Sequence, residues 1–222
     1  MTDLNRLYKK FGDMPVVSIS RAQRQPLPWI NWQGTVYHGL PSDLYRPCSE
    51  SGDYLVFLGR ISSEKRLDRA IEIARRSGMR LKVAAKVDAV DRKYFKKTIE
   101  PLLDDPIVEC IGEVGDRGKQ ELLGKAYALL FPIDWPEPFG LVLIEAMACG
   151  TPVIAYPGGS VPEIVEHGVT GFIVDNLCDA TRAVDQVGRL DRALCRSRFE
   201  ERFSAARMAE DYLKIYERLL KD

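Results

Sequence analysis

Two carboxylates, Glu137 and Glu145, stand eight positions apart in WPEPFGLVLIEAMACG, between an apolar run ending at Pro132 and the glycine at 150. A carboxylate pair in a cleft is the equipment of glycoside hydrolysis, which needs the two groups about 5 to 5.5 Å apart for retention or about 6.5 to 9.5 Å for inversion. Eight helical steps of about 1.5 Å would set them roughly 12 Å apart along an axis, although Glu137 is expected to precede the helix. That spacing argues against a hydrolytic pair. It suits two carboxylates gripping different hydroxyl groups of an extended polyol, with the amides of Phe139, Gly140 and Leu141 open to an anionic group between them. Taken alone, Glu145 reads better as an exposed helix residue near the positive helix end.

A second set lies in GRISSEKR, where Gly59 and Arg60 are followed by Lys65. A glycine at a strand end lets a ligand approach the backbone, and an Arg and a Lys ahead of a helix can neutralise a diphosphate while helix amides add partial positive charge. The plainer alternative is a solvated helix start in which Arg60 and Lys65 pair with Glu64 and Asp68. Cations at a helix N-terminus oppose its dipole, so an anionic ligand accounts for them slightly better.

The elements that must position these residues follow a regular alternation from residue 54. YLVFLG, RLKVAAKV, PIVECIG, ALLFP, TPVIAY and GFIVD read as buried strands. Helical spacing fills the gaps: Leu67, Ala70, Ile71 and Ala74 up to Gly78, then DAVDRKYFKKTIEPLL with Phe95, Ile99, Leu102 and Leu103 inward, DRGKQELLGKAY, and a helix from Pro138 or Phe139 to Cys149. A further helix is expected to start near Cys178. Apolar strands alternating with amphipathic helices imply parallel βαβ units, hence an α/β fold with a doubly wound, Rossmann-like parallel sheet. In such sheets a ligand sits beyond the carboxyl ends of the strands, which nominates the loops after Leu58, Ala85, Ile111 and Pro132.

Before that alternation the reading is sparser. Residues 4 to 11 suggest a short amphipathic helix, and MPVVSIS and TVYHGL suggest strands. Trp29, Ile30 and Trp32 offer an anchor for an irregular segment between them, and PSDLYRPCSESGD has the composition of a linker. The final segment reads as a long helix capped by Ser204, with Met208, Tyr212, Ile215, Tyr216 and Leu219 on one face.

The 32 basic residues balance the 32 acidic ones, which removes the simplest electrostatic case for a nucleic-acid partner. The five cysteines are scattered, with no CxxC pair and no neighbouring His to complete a metal set, and read as reduced thiols of a cytoplasmic protein. No apolar run approaches the roughly 20 residues that span a bilayer, so no transmembrane segment is expected and any membrane contact would be peripheral.

EPFGLVLIEAMACGTPVIAYPGGSVPEIVEHGVTGFIVD resembles the donor-site signature of the group 1 retaining glycosyltransferases of GT-B fold, with Glu137 and Glu145 as its Glu-x7-Glu element. FLGRISSEKRLDRAIEIA resembles the same family's other phosphate-binding segment. The likeness covers about residues 35 to 222. It implies that the chain binds a nucleotide diphosphate sugar, UDP- or GDP-linked, and transfers the sugar with retention by same-face displacement assisted by the leaving phosphate, with no metal or other cofactor. Arg60 and Lys65 would hold the diphosphate and Glu137 the transferred sugar. The Phe139 to Leu141 amides would meet phosphate or sugar, and Glu145 the ribose hydroxyls. Gly59 would permit close approach, and the loop carrying Gly112 and Val114 would flank the base.

Departures from the pattern are Arg66, where the family commonly has Gly, and Ala84-Ala85-Lys86 in place of a Gly-rich turn, which makes Lys86 an additional candidate contact. Asp134 and Trp135 are placed to shape the sugar pocket, while His38 and His167 are given structural roles. Residues 1–50 read as the remnant of an N-terminal acceptor domain and its linker, and 51–222 as the nucleotide-sugar-binding domain with a C-terminal helix. Length makes the chain roughly the C-terminal half of such an enzyme. Acceptor chemistry would then come from a missing domain or a separate acceptor-domain polypeptide. The alternative from another class is a non-catalytic nucleotide-sugar-binding module or regulatory subunit.

Overall fold

The computed structural model describes residues 2–221. The apolar runs form β3 (Tyr54–Arg60), β4 (Arg80–Lys86), β5 (Val108–Cys110), β6 (Ala128–Phe131), β7 (Val153–Ala155) and β8 (Gly171–Ile173). These six strands pair in the order β5-β4-β3-β6-β7-β8, every pair parallel. Side chains alternate across a strand, so β3 sends Leu55 and Phe57 into one core with Ile71, Leu81 and Leu130, and Val56 into another with Leu129, Leu143 and Phe199. Both faces of the sheet are therefore buried, which is why these strands read as continuous apolar runs.

The helices α2 (Leu67–Ser77), α4 (Asp116–Gly124), α5 (Leu141–Ala148), α6 (Val161–Ile164), α7 (Leu177–Val187) and α8 (Arg192–Phe203) follow in sequence, with the three-residue α3 (Arg92–Tyr94) between β4 and β5. The sheet grows outward from β3 through β4 to β5, and the chain then returns to lay β6 on the other side of β3. That reversal splays the loops after β3 and β6 apart, and a doubly wound sheet opens its crevice at such a point.

Three expected elements differ. The helix expected from Pro138 or Phe139 begins at Leu141, because Gly140 adopts a left-handed conformation (φ 80°) that a helix cannot include. The helix expected over 88–103 is broken into a 3₁₀ turn, α3, a π-helical turn at Phe95–Ile99 and another 3₁₀ turn. Pro101 lacks the N–H that a continuous helix requires there. The strand expected over 35–40 lies earlier, as β2 (Trp32–Thr35), and Leu40 makes only a single bridge to Ser204.

Ahead of the sheet lie α1 (Thr2–Lys10), β1 (Val16–Ser18) and β2, the two strands forming their own parallel pair. The C-terminal helix α9 (Ala205–Leu219) is capped by the Ser204 side chain, which accepts from the Arg207 amide. It holds residues 33–40 through Arg207 to the Tyr37 carbonyl at 2.6 Å and through Arg218 to the Gln33 carbonyl. Ile215 is the buried residue of its apolar face, whereas Tyr216, expected inward, is 52% exposed. No helix of the described residues is long and apolar enough to cross a membrane.

Candidate functional site

Two adjoining cavities occupy the crevice between the ends of β3 and β6. The larger, of about 540 Å³, runs from Gly59 and Lys86 past Val114 to Lys119 and Glu145. The smaller, of about 220 Å³, is walled by Arg60, Lys65, Phe131 and Glu137. Leu58, Gly59, Leu141 and Val142 line both, so the start of α5 is the partition between two ends of one cleft. The larger end alone lies within the usual size of small-molecule sites.

Gly140 sets the chemistry of that partition. Its left-handed turn directs the chain into α5, and the amides of Phe139, Gly140, Leu141 and Val142 donate to no acceptor among the described residues. Unpaired amides at a helix start attract anions, and the helix dipole adds to the effect. A Cβ on Gly59, on the facing strand, would meet no described atom within 4 Å, but the residue's φ of 155° is one that side chains rarely adopt, so backbone conformation favours glycine there.

The two carboxylates stand at opposite ends, each 8% exposed. Glu137 Oε2 receives the Trp135 indole N–H at 2.8 Å and pairs with Lys65. The Lys65 ammonium also sits 5.4 Å from the ring centres of both Phe131 and Trp135, an aromatic seat for the cation. Glu145, on the second turn of α5, receives Lys119 Nζ at 2.8 Å and the Tyr45 hydroxyl at 3.3 Å, both on Oε1. Neither Glu137 Oε1 nor Glu145 Oε2 is engaged by another described residue. Each carboxylate is thus held by one oxygen and offers the other.

Arg60 is more loosely held, 3.6 Å from Glu64 and 3.4 Å from Asp88. Lys86 lies at the mouth of the larger cavity, 3.5 Å from Asp88 and 3.7 Å from Glu113. Asp68 pairs with Arg66, not with Lys65. Arg66 adopts φ 54°, the left-handed conformation that glycine takes readily, and secures it by bonds to Asp68 and to Asp134 at 2.8 Å. The Asp134 amide donates to the Glu64 carbonyl at 2.8 Å, so the loops after β3 and β6 are tied together beside the Lys65–Glu137 pair.

Of the residues singled out in the sequence, Gly59, Arg60, Lys65, Val114, Glu137, Gly140, Leu141 and Glu145 all border the cleft. Phe139 lines neither cavity. Its ring is 2% exposed and packs edge-on against His38, with centroids 4.9 Å apart. Gly112 borders neither cavity, and turns the chain at φ 82° with its carbonyl accepting from Ala85. Burial lowers the His38 pKa, and His167 Nδ1 accepts from the Ile173 amide at 3.2 Å. Cys149 and Cys195 are pushed up by burial to about 12 and about 11, which leaves them poor nucleophiles. Two residues that engage Glu145 went unread, Lys119 on the cavity wall and Tyr45 in the core behind it. The first looks like an ordinary surface lysine of α4, and the second lies in a stretch with linker composition.

The model of the family described as Glycosyl transferases group 1 matches residues 47–203, well over half of the chain. The chain belongs to the group 1 glycosyl transferase family. Among relatives in this family, N-acetyl-alpha-D-glucosaminyl L-malate synthase of Bacillus anthracis is 36% identical over 117 residues, 47% of this chain and 30% of that protein. Alpha-maltose-1-phosphate synthase of Mycolicibacterium smegmatis is 29% identical over 80% of this chain and 49% of its own length. The chain therefore spans half or less of these curated relatives.

The glycosyltransferase involved in avilamycin A biosynthesis superposes with a TM-score of 0.78 and 26% identity, over 92% of this chain and 63% of that one. The HepE protein of Anabaena, solved in complex with UDP-glucose, gives a TM-score of 0.81 at 20% identity, over 100% of this chain and 68% of that one. The parallel sheet flanked by helices is that of GT-B glycosyltransferase structures.

Proposed function

We propose that this chain is the donor-binding half of a retaining glycosyltransferase, which takes a sugar from a nucleotide diphosphate sugar and passes it to an acceptor held by a further domain or polypeptide. The observation that carries this reading is the arrangement at the head of α5. Four unengaged amides lie between two carboxylates, each with an oxygen to spare, opposite Arg60 and Lys65. The larger cavity suits a nucleoside, with Glu145 on the ribose and the segment around Val114 beside the base. The amides with Arg60 and Lys65 suit the diphosphate, and Glu137 suits the hydroxyls of the transferred sugar.

In the transfer, the bond between the anomeric carbon and the leaving phosphate oxygen breaks with its electron pair going to the nucleotide. The acceptor oxygen bonds to the same face of that carbon, and its proton passes to the departing phosphate. Preorganised cations and amides stabilise the charge that develops, and no protein nucleophile is required. The Anabaena complex with UDP-glucose supports a UDP-linked donor, and GDP-linked donors fit the same chemistry. Residues 51–222 would form the donor domain and the first 50 the end of the acceptor domain. The unpaired cysteines favour a cytoplasmic location, with any membrane contact peripheral.

Titration of the purified chain against UDP, GDP and their sugars tests this. A bound ligand raises apparent stability by mass action, and transfer or hydrolysis of the sugar, with or without candidate partner polypeptides, reports turnover. Arg60→Ala or Lys65→Ala is expected to weaken UDP at least about tenfold while leaving uridine unchanged. Equal loss of both ligands would sink the diphosphate assignment, and saturable binding without turnover in any pairing would leave a binding module.

A further inference from the structure

The segment between β2 and β3 has the composition of a connector, yet it carries Tyr45, one of the largest fully buried side chains, 1% exposed. Its ring belongs to the same core cluster as Leu123, Met147 and Phe199, where a phenylalanine would pack equally well. The hydroxyl is what distinguishes it. It donates to Glu145 Oε1 at 3.3 Å, beside the 2.8 Å bond from Lys119. A buried hydroxyl is costly without a partner, and this one has a carboxylate. Burial and the nearby Glu145 charge push the Tyr45 pKa up, so the group keeps its proton and acts as a donor.

The backbone around Tyr45 is fixed from two sides. Arg196 of α8 donates to the carbonyls of Tyr45 at 2.7 Å and Ser42 at 2.6 Å. Gln120 of α4 accepts from the Arg46 amide at 2.6 Å and returns a bond to the Arg46 carbonyl at 2.9 Å. Lys119 reaches Glu145 on a flexible stem, whereas Tyr45 is rigid and anchored in the core. Two donors on Oε1 restrict the carboxylate, and Oε2 of this cavity-lining residue is left without a partner among the described residues.

We infer that Tyr45 is a positioning residue for the nucleotide end of the cleft, holding Glu145 so that its second oxygen accepts from the hydroxyls of a ligand ribose. The inference rests on the donor-site reading above and adds to it a residue from outside the signature segments. Tyr45→Phe removes one oxygen and keeps the packing. Calorimetry with UDP and GDP, and with their 2′-deoxy and 3′-deoxy counterparts, reads the effect.

The wild-type chain is expected to prefer a ribonucleotide over a deoxy counterpart by about tenfold, as a hydrogen bond to a charged group implies. Tyr45→Phe should weaken the ribonucleotide threefold to tenfold, on the order of one such bond, and leave the deoxy forms within about twofold. In the Glu145→Gln background it should add nothing, since both changes act through one contact. Equal weakening of ribo and deoxy forms by Tyr45→Phe, or an intact preference, overturns the positioning role. A wild-type chain that binds none of these diphosphates overturns the donor-site reading itself, and one that binds ribo and deoxy forms alike removes the ribose role of Glu145 and this inference with it.

Discussion

Lys65 and Glu137 are among the least solvated charges in the molecule, with side-chain exposures of 17% and 11%. Removing one partner of such a pair strands the other, whereas removing both does not. Lys65→Met should therefore destabilise the chain more than the double change Lys65→Met with Glu137→Gln, although Trp135 still donates to the carboxylate in the single variant. Urea unfolding checks this, and strictly additive losses would show that the pair is no more than two independent surface charges. Arg66 poses the opposite question, because its backbone is unfavourable while its side chain is well used. A left-handed non-glycine residue costs about 1 to 2 kcal/mol. Both Arg66→Gly and Arg66→Ala lose the bonds to Asp68 and Asp134, but only glycine also sheds the strain, so the alanine variant should be the less stable by about 1 kcal/mol. Burial raises the Asp68 pKa, but bonds from Arg66 and Tyr94 outweigh it and leave the carboxyl below its ordinary value. A depressed carboxylate contributes stability above its unfolded pKa, about 3.9, and loses it as pH falls toward the folded value. The gap in melting temperature between the wild type and Arg66→Gly should accordingly narrow below about pH 4. A gap constant down to pH 2.5 would assign it to packing alone.

Among the elements, α5 connects the most chemistry to the least sequence. Gly140→Ala would place a methyl group 3.1 Å from Leu143 Cδ1 at a φ of 80°. The expected result is a loss of about 1 to 2 kcal/mol in stability together with weaker UDP binding, as the amides at Phe139 to Val142 shift. Undiminished UDP affinity in a folded Gly140→Ala variant would remove the amides from the site. The strands were legible because β3, β4 and β6 are buried on both sides and composed accordingly. The start of α5 was not, since Pro138 and Phe139 carry helix-start chemistry and only the backbone of Gly140, which tolerates either sign of φ, decides against them. The broken stretch from 89 to 102 shows the same limit. Phe95, Ile99, Leu102 and Leu103 do pack inward as their spacing suggests, but Pro101 has no N–H to continue the helical ladder, and a 3₁₀ turn stands there instead.

For the whole molecule, what could be read from residues near one another differs from what only folding brings together. Glu137, Glu145, Arg60 and Lys65 lie in segments whose spacing and strand-to-helix context mark them, whereas Lys119 is 26 residues from Glu145 and Tyr45 is 100. No local pattern encodes contacts of that range, and the family signature does not include the segment that supplies Tyr45. The same holds for the attachment of the N-terminal strands. Glu163, at the start of α6, accepts from the amides of Arg21 and Ala22 at 2.8 Å each and from the Tyr37 hydroxyl at 3.1 Å. It joins the segment after β1, and Tyr37, to α6, while Arg207 of α9 holds the carbonyls of Tyr37 and His38. Glu163→Ala leaves two amides and a hydroxyl without their acceptor but touches no wall of the cleft. Hydrogen exchange should then quicken over residues 16–35 by about tenfold or more, consistent with roughly 1.4 kcal/mol or more of lost local stability. Protection in β3 through β8 and the affinity for UDP should stay as they were. Equal loosening of both regions would mean that the N-terminal strands and the sheet open as one cooperative body, and that residues 1–50 are an integral part of the donor domain rather than the end of another.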